Sequence, residues 1–128
     1  MNLTAYAWIA LGGALGAMAR GFVATWVQQR IHSEFPWGTF IINASGSLLL
    51  GFVATLIAEK VLNQPNARPF IAIGFIGAYT TFSTFEYETF KLGPSLVALG
   101  NIVGSVVVGY ACVFIGARIA QLLTTTLH

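Results

Sequence analysis

Four long stretches of this 128-residue chain carry no charged residue: Met1 to Ala19, Phe35 to Ala58, Pro69 to Phe85 and Leu92 to Ala117. Short connectors with turn-forming residues separate them: Ser33, Glu34 and Pro36, then Asn63, Pro65 and Asn66, then Gly93 and Pro94. A helix that crosses hydrocarbon needs about 20 mostly apolar residues. The pattern therefore predicts four spans, at roughly 4–28, 38–58, 69–90 and 95–123. The first lacks the basic start and the cleavage site of a secretory signal and reads as a retained span. No connector is long enough to fold separately, so 1–128 is expected to be a single four-helix transmembrane domain of the all-α class.

Composition agrees with a lipid setting. The chain is 56% hydrophobic and 8% charged, with a mean hydropathy of +0.78, whereas a soluble domain is about one quarter charged. Its six basic residues are scattered, which argues against nucleic acid as a partner. Their distribution across four spans is even. Lys60, Arg68 and Arg118 fall on one side and Arg20, Arg30 and Lys91 on the other, so the bias that normally orients a membrane protein is missing. Insertion in both orientations is expected, with assembly as an antiparallel dual-topology homodimer about a two-fold axis in the membrane plane. Gly12 and Gly16, Gly100 and Gly104, Ser47 and Gly51, and Ser105 and Gly109 stand at the small-xxx-small spacing of tight helix contacts. Trp8, Trp26 and Trp37 suit an interfacial belt, and the single Cys112 sits in an apolar run.

Unsatisfied polar groups in hydrocarbon are costly, so polar residues within spans carry the most information. Thr39, Asn43 and Ser47 repeat every four residues on one face of the second span, and Asn101 and Ser105 do so on the fourth. Such stripes serve to bond helices together or to line a path. The third span reads Gly74-Phe75-Ile76-Gly77-Ala78-Tyr79-Thr80-Thr81-Phe82-Ser83-Thr84-Phe85-Glu86-Tyr87-Glu88. Glycine and threonine are poor helix formers, so winding is expected to break here at mid-membrane. Two such breaks meeting at a dimer axis would gather backbone carbonyls into a sodium-like or potassium-like site.

Phe82 and Phe85 share a helical face. Packing alone accounts for such a pair, but the positive ring edge also suits a small anion. Ser83 and Thr84 interleave hydroxyls with the rings, and Asn43 offers amide N–H groups. Glu88 follows Thr84 by four residues on the same face, either closing the hydroxyl line or marking the helix end; Glu86, Glu34 and Glu59 read as interfacial. Arg20 either marks a cationic vestibule or snorkels to headgroups.

The run Gly77 to Glu88, with its Thr80-Thr81-Phe82-Ser83-Thr84-Phe85 core, resembles the third helix of the Fluc family of fluoride channels, also called CrcB proteins. The likeness extends to Gly12, Gly13 and Gly16 before Arg20, and to Pro36, Gly38 and Thr39 before Asn43. The resemblance implies a passive, multi-pass channel of the cell (inner) membrane that is not an enzyme. It would export fluoride trapped as the ion after entering as HF, through two pores per antiparallel homodimer. It implies a structural Na⁺ at the interface, held by the carbonyls of Gly77 and Thr80, and an aromatic box of Phe82 and Phe85 with Asn43 as amide partner. Ser83, Thr84 and Ser105 would form a polar track ending at Glu88, with Arg20 in the vestibule; Asn101 receives no role. Two other readings compete. A small four-span proton-coupled multidrug antiporter needs a carboxylate deep in the membrane, and the carboxylates of the third span lie beside its end. A purely structural assembly subunit has no use for a break-prone third helix.

Overall fold

The computed structural model describes residues 2–126. Helix α1 spans Leu3–Arg30 and begins at Asn2, whose side chain accepts a hydrogen bond from the Ala5 N–H. Helix α2 spans Trp37–Ala58. The third segment winds as a π-helix over Arg68–Ile76, continues as the short α3, Gly77–Tyr79, and resumes as α4, Phe82–Lys91. Helix α5 spans Leu96–Thr126. Among the described residues every regular element is helical. Helices α1, α2 and α5 are each long and apolar enough to cross a membrane.

Two tight pairings organise the chain, α1 against the π-helical segment and α2 against α5. Both depend on missing side chains. A Cβ on Gly12 would collide with the Phe70 carbonyl, and one on Gly16 with the Phe75 carbonyl. Trp8 covers the first contact edge-on to Phe70, with ring centroids 5.8 Å apart, and is half-buried there. In the second pairing Gly51 abuts the Val113 backbone and Gly116 abuts that of Leu48. Close approach of this kind replaces the hydrophobic drive that lipid cannot supply between helices.

The glycine spacings are used unevenly. Gly12 and Gly16 act as expected, but Gly100 has nothing within 4 Å of an added Cβ. Gly116, outside the expected pairs, makes one of the tightest approaches. In the third segment the glycines do not unwind the chain. Gly77 keeps helical angles, φ −62° and ψ −34°, and Gly74 serves as a contact against α1 near the Ile9 carbonyl. Winding stops instead at Thr80, φ −76° and ψ 156°, and Thr81, φ −150° and ψ 117°.

Elsewhere the helix ends follow their local chemistry. Gly93 closes the end of α4 with φ +62°, the left-handed conformation glycine adopts freely, and Pro94 prevents continuation. The Ser95 hydroxyl then accepts the Ala98 N–H at the start of α5. Much of the outer surface is apolar, with Phe90 79%, Tyr110 76% and Leu122 70% exposed. Such a surface is at home in lipid or against another apolar helix. Gly12→Val is expected to displace α1 and abolish the monodisperse species in detergent size-exclusion chromatography. Gly21→Ala, which meets nothing within 4 Å, is expected to leave that species intact.

Candidate functional site

The interruption at Thr80–Thr81 is held by α2. Asn43 spans one peptide residue with its amide: the Thr81 N–H donates to Oδ1 at 2.8 Å, and Nδ2 donates to the Thr81 carbonyl at 3.0 Å. The side chain thus supplies what a neighbouring strand would give an extended residue. One turn away, Ser45 Oγ lies 2.9 Å from the Tyr79 hydroxyl, and Gly46 leaves room for the Thr80 methyl. Thr81 caps α4, its Oγ1 accepting the Thr84 N–H at 3.3 Å and donating to Thr84 Oγ1 at 3.0 Å.

These bonds divert two donors. In a continuous helix the Thr81 N–H would reach the Gly77 carbonyl and the Thr84 N–H the Thr80 carbonyl. Both now go to side-chain oxygens. Gly77 and Thr80 are therefore left with carbonyl oxygens relieved of their helical partners, and hard oxygen donors of this kind are what alkali cations accept.

Beside the interruption lies a groove of about 270 Å³ lined by Asn43, Ser47, Thr80, Phe82, Phe85 and Ser105, among others. Among the described residues no charged side chain lines it. The Phe82 and Phe85 rings are 5.7 Å apart at 40°. Their exposures differ sharply: Phe85 is 9% exposed, wedged between α4 and its neighbours, whereas Phe82 is 71% exposed and turns outward. Amide, hydroxyl and aromatic groups thus converge without formal charge.

Other expected site residues lie elsewhere. Glu88 lines a separate pocket of about 390 Å³ with Thr39, Gln28, Glu34 and Lys91, and its Oε2 is buried without a hydrogen-bond partner among the described residues. The α2 stripe links the two cavities, since Thr39 lines the Glu88 pocket while Asn43 and Ser47 line the groove. Glu86 borders a third, apolar groove with Phe82, Phe90 and Ile102. Ser83 and Thr84 are exposed on α4 and do not line the first groove. Arg20 is half-buried and sits well inside α1, which runs on to Arg30; it lines neither the groove nor the Glu88 pocket.

Sequence reasoning overlooked Thr81, Ser45 and Thr89 as organisers of this region. Thr89 donates to the Phe85 carbonyl at 2.7 Å and accepts from Asn101 Nδ2 at 2.8 Å. Its spacing of four from Phe85 was the available signal. Asn43 was read as a free amide, but one of its two N–H groups is committed to Thr81.

Apolar helices of spanning length and an uncharged polar groove beside an interrupted third segment define a small multi-pass membrane protein. Residues 7–117 match the family described as CrcB-like protein, Camphor Resistance (CrcB), and the chain belongs to that family. It is 41% identical over 119 residues to the fluoride-specific ion channel FluC of Solibacter usitatus (strain Ellin6076), covering 91% of this chain and 98% of that one. A relative of the same name from Acidobacterium capsulatum is 44% identical over 117 residues, covering 87% and 91% of the two chains. Another, from Hahella chejuensis (strain KCTC 2396), is 40% identical over 126 residues, covering 96% and 99%. These names denote ion channels, a class without enzymatic chemistry.

Asn43→Leu removes both partners of the Thr81 peptide. Each orphaned group costs about 1–3 kcal/mol, so a clearly lowered unfolding temperature in detergent is expected. Ser47→Ala, on the same face, is expected to leave it within the scatter of ordinary substitutions.

Proposed function

We propose that the chain is a fluoride-selective passive channel that releases F⁻ from the cytoplasm across the cell (inner) membrane. The observation that carries this reading is the charge-free groove in which Asn43, Phe82, Phe85 and Ser105 meet. Family membership and the names of the relatives support it. A small, strongly hydrated anion leaves water only if other positive ends replace the lost hydration. The second Asn43 N–H and the phenyl ring edges supply such ends as partial charges. A full positive charge would hold the ion too long, because conduction needs binding weak enough to release.

The path follows the α2 stripe from Ser47 and Asn43 toward Thr39 and Glu88. Ser105 belongs to this track; Ser83 and Thr84, exposed on α4 outside the groove of one copy, would join it where the second copy covers them, and Arg20, which lines neither cavity, would draw anions through its charge at a distance. An antiporter would carry its titrating carboxylate within the groove itself, and neither Glu86 nor Glu88 lines it.

The working unit is an antiparallel homodimer with two pores, each copy a single four-span domain over 1–128 and each third span broken at mid-membrane. The outward face of Phe82 and the apolar groove beside it supply surface for the second copy to cover. Two copies double the carbonyls of Gly77 and Thr80, which would hold a structural Na⁺ at the interface. When bound, such an ion supplies fixed positive charge that neutralises the paired carbonyl dipoles.

Liposomes loaded with potassium fluoride and chloride and read with ion-selective electrodes are expected to lose fluoride rapidly and retain chloride. Absent fluoride loss, or equal chloride loss, overturns the reading. Phe82→Ile and Phe85→Ile are each expected to slow fluoride loss by about tenfold while the dimer persists. A reporter fused to the C-terminus is expected on both membrane faces in similar amounts; its confinement to one face would rule out dual topology.

A further inference from the structure

The aromatic pair stands on α4, a ten-residue helix that enters from an interruption and makes only slight contact with α5. Such a helix has little to fix its rotation. At its start it is held by Asn43 on Thr81. Toward its far end a second asparagine, on α5, bonds the Thr89 hydroxyl.

Asn101 is 1% exposed, among the most buried side chains in the chain. Its Oδ1 accepts from the Ser105 hydroxyl at 3.2 Å, and its Nδ2 donates to Thr89 Oγ1 at 2.8 Å. The Thr89 hydroxyl in turn donates to the Phe85 carbonyl at 2.7 Å. Every donor along this line has one acceptor, and the direction is consistent from α5 to α4. The line also joins two residues of the groove, Ser105 and Phe85, through two that do not line it.

We infer that Asn101 and Thr89 are positioning residues for the aromatic pair, setting the rotation of α4 and hence the angle at which the Phe85 ring edge meets the groove. The reasoning is geometric. A threonine hydroxyl bonded to the carbonyl four residues back ties one helical turn to the next, and here that hydroxyl is held from outside by the Asn101 amide. The carbonyl being pinned belongs to Phe85 itself. The same amide holds the Ser105 hydroxyl hydrogen on Oδ1, which turns the serine's lone pairs toward other donors.

This inference rests on the channel reading above, and wild-type efflux is the control that separates the two. If wild-type protein moves no fluoride, the channel reading fails. If wild-type protein conducts, the test lies with Thr89→Val, which keeps the shape of the side chain and removes the hydroxyl, and Thr89→Ser, which restores it. Fluoride efflux is expected to fall about tenfold in Thr89→Val, in line with one lost hydrogen bond acting on the conducting geometry, and to return to within about twofold of wild type in Thr89→Ser.

A spectroscopic signature distinguishes positioning from general damage. With 4-fluorophenylalanine incorporated at Phe85, the fluorine NMR signal of detergent-solubilised dimer is expected to shift or broaden in Thr89→Val and to coincide with wild type in Thr89→Ser. Asn101→Ala is expected to move the same signal. An unmoved Phe85 signal in Thr89→Val overturns the inference, whether or not efflux falls. So does unchanged efflux in a conducting background, and so does failure of Thr89→Ser to restore efflux. Should Asn101→Ala not yield dimer, the threonine pair carries the decision.

Discussion

The peptide of Thr81 governs the rest of the structure. A chain in lipid must satisfy every backbone N–H and C=O from within, yet the third segment abandons helical bonding at Thr80 and Thr81. The side-chain amide of Asn43 resolves the conflict by matching donor to acceptor and acceptor to donor on one residue. Asparagine is suited to this because its amide copies the peptide group. Once Asn43 is so engaged, α2 must lie beside the interruption, and Gly46 must be small to admit Thr80.

That single accommodation creates the features of the site together. It releases the carbonyls of Gly77 and Thr80 from their helical donors, and it starts α4 in a new direction with Thr81 as its cap. It also places Phe85 in the interior and Phe82 at the surface of the same groove. Polar function in hydrocarbon is thereby obtained without a buried formal charge in the groove. The cost is borne by hydrogen bonds that are local, directional and few.

The surrounding scaffold is correspondingly stiff. Helix α1 is locked on the π-helical segment through Gly12 and Gly16, and α2 on α5 through Gly51 and Gly116. Backbone-to-backbone contact tolerates almost no side-chain change, so these pairs act as a rigid frame. Helix α4 is the exception, joined to that frame mainly by hydrogen bonds at its two ends from Asn43 and Asn101. Two asparagines on two different helices therefore hold the element that carries both rings.

Much of this was legible in the residues alone. The expected spans at roughly 4–28, 38–58 and 95–123 lie within a few residues of α1, α2 and α5, because hydrocarbon thickness imposes length on any span, whereas the third is divided into three helical pieces. The resemblance of Gly77 to Glu88 to CrcB proteins agrees with the family match. Of the expected pore residues, Asn43, Phe82, Phe85 and Ser105 line one groove, whereas Ser83, Thr84 and Glu88 do not. What periodicity leaves open is which polar group meets which, since a helical stripe specifies a face and not the neighbour across from it. Thus Glu88 lies in a second pocket, Arg20 in neither, and Asn43 commits its Oδ1 and one N–H to Thr81. Glycine and threonine together point to unwinding in the third segment, and the threonines alone carry it: Thr80 and Thr81 break the helix, Gly77 keeps helical angles and Gly74 acts in close packing. Local propensity set the composition of that segment; contacts from α1 and α2, distant in sequence, chose the residue at which the backbone turned.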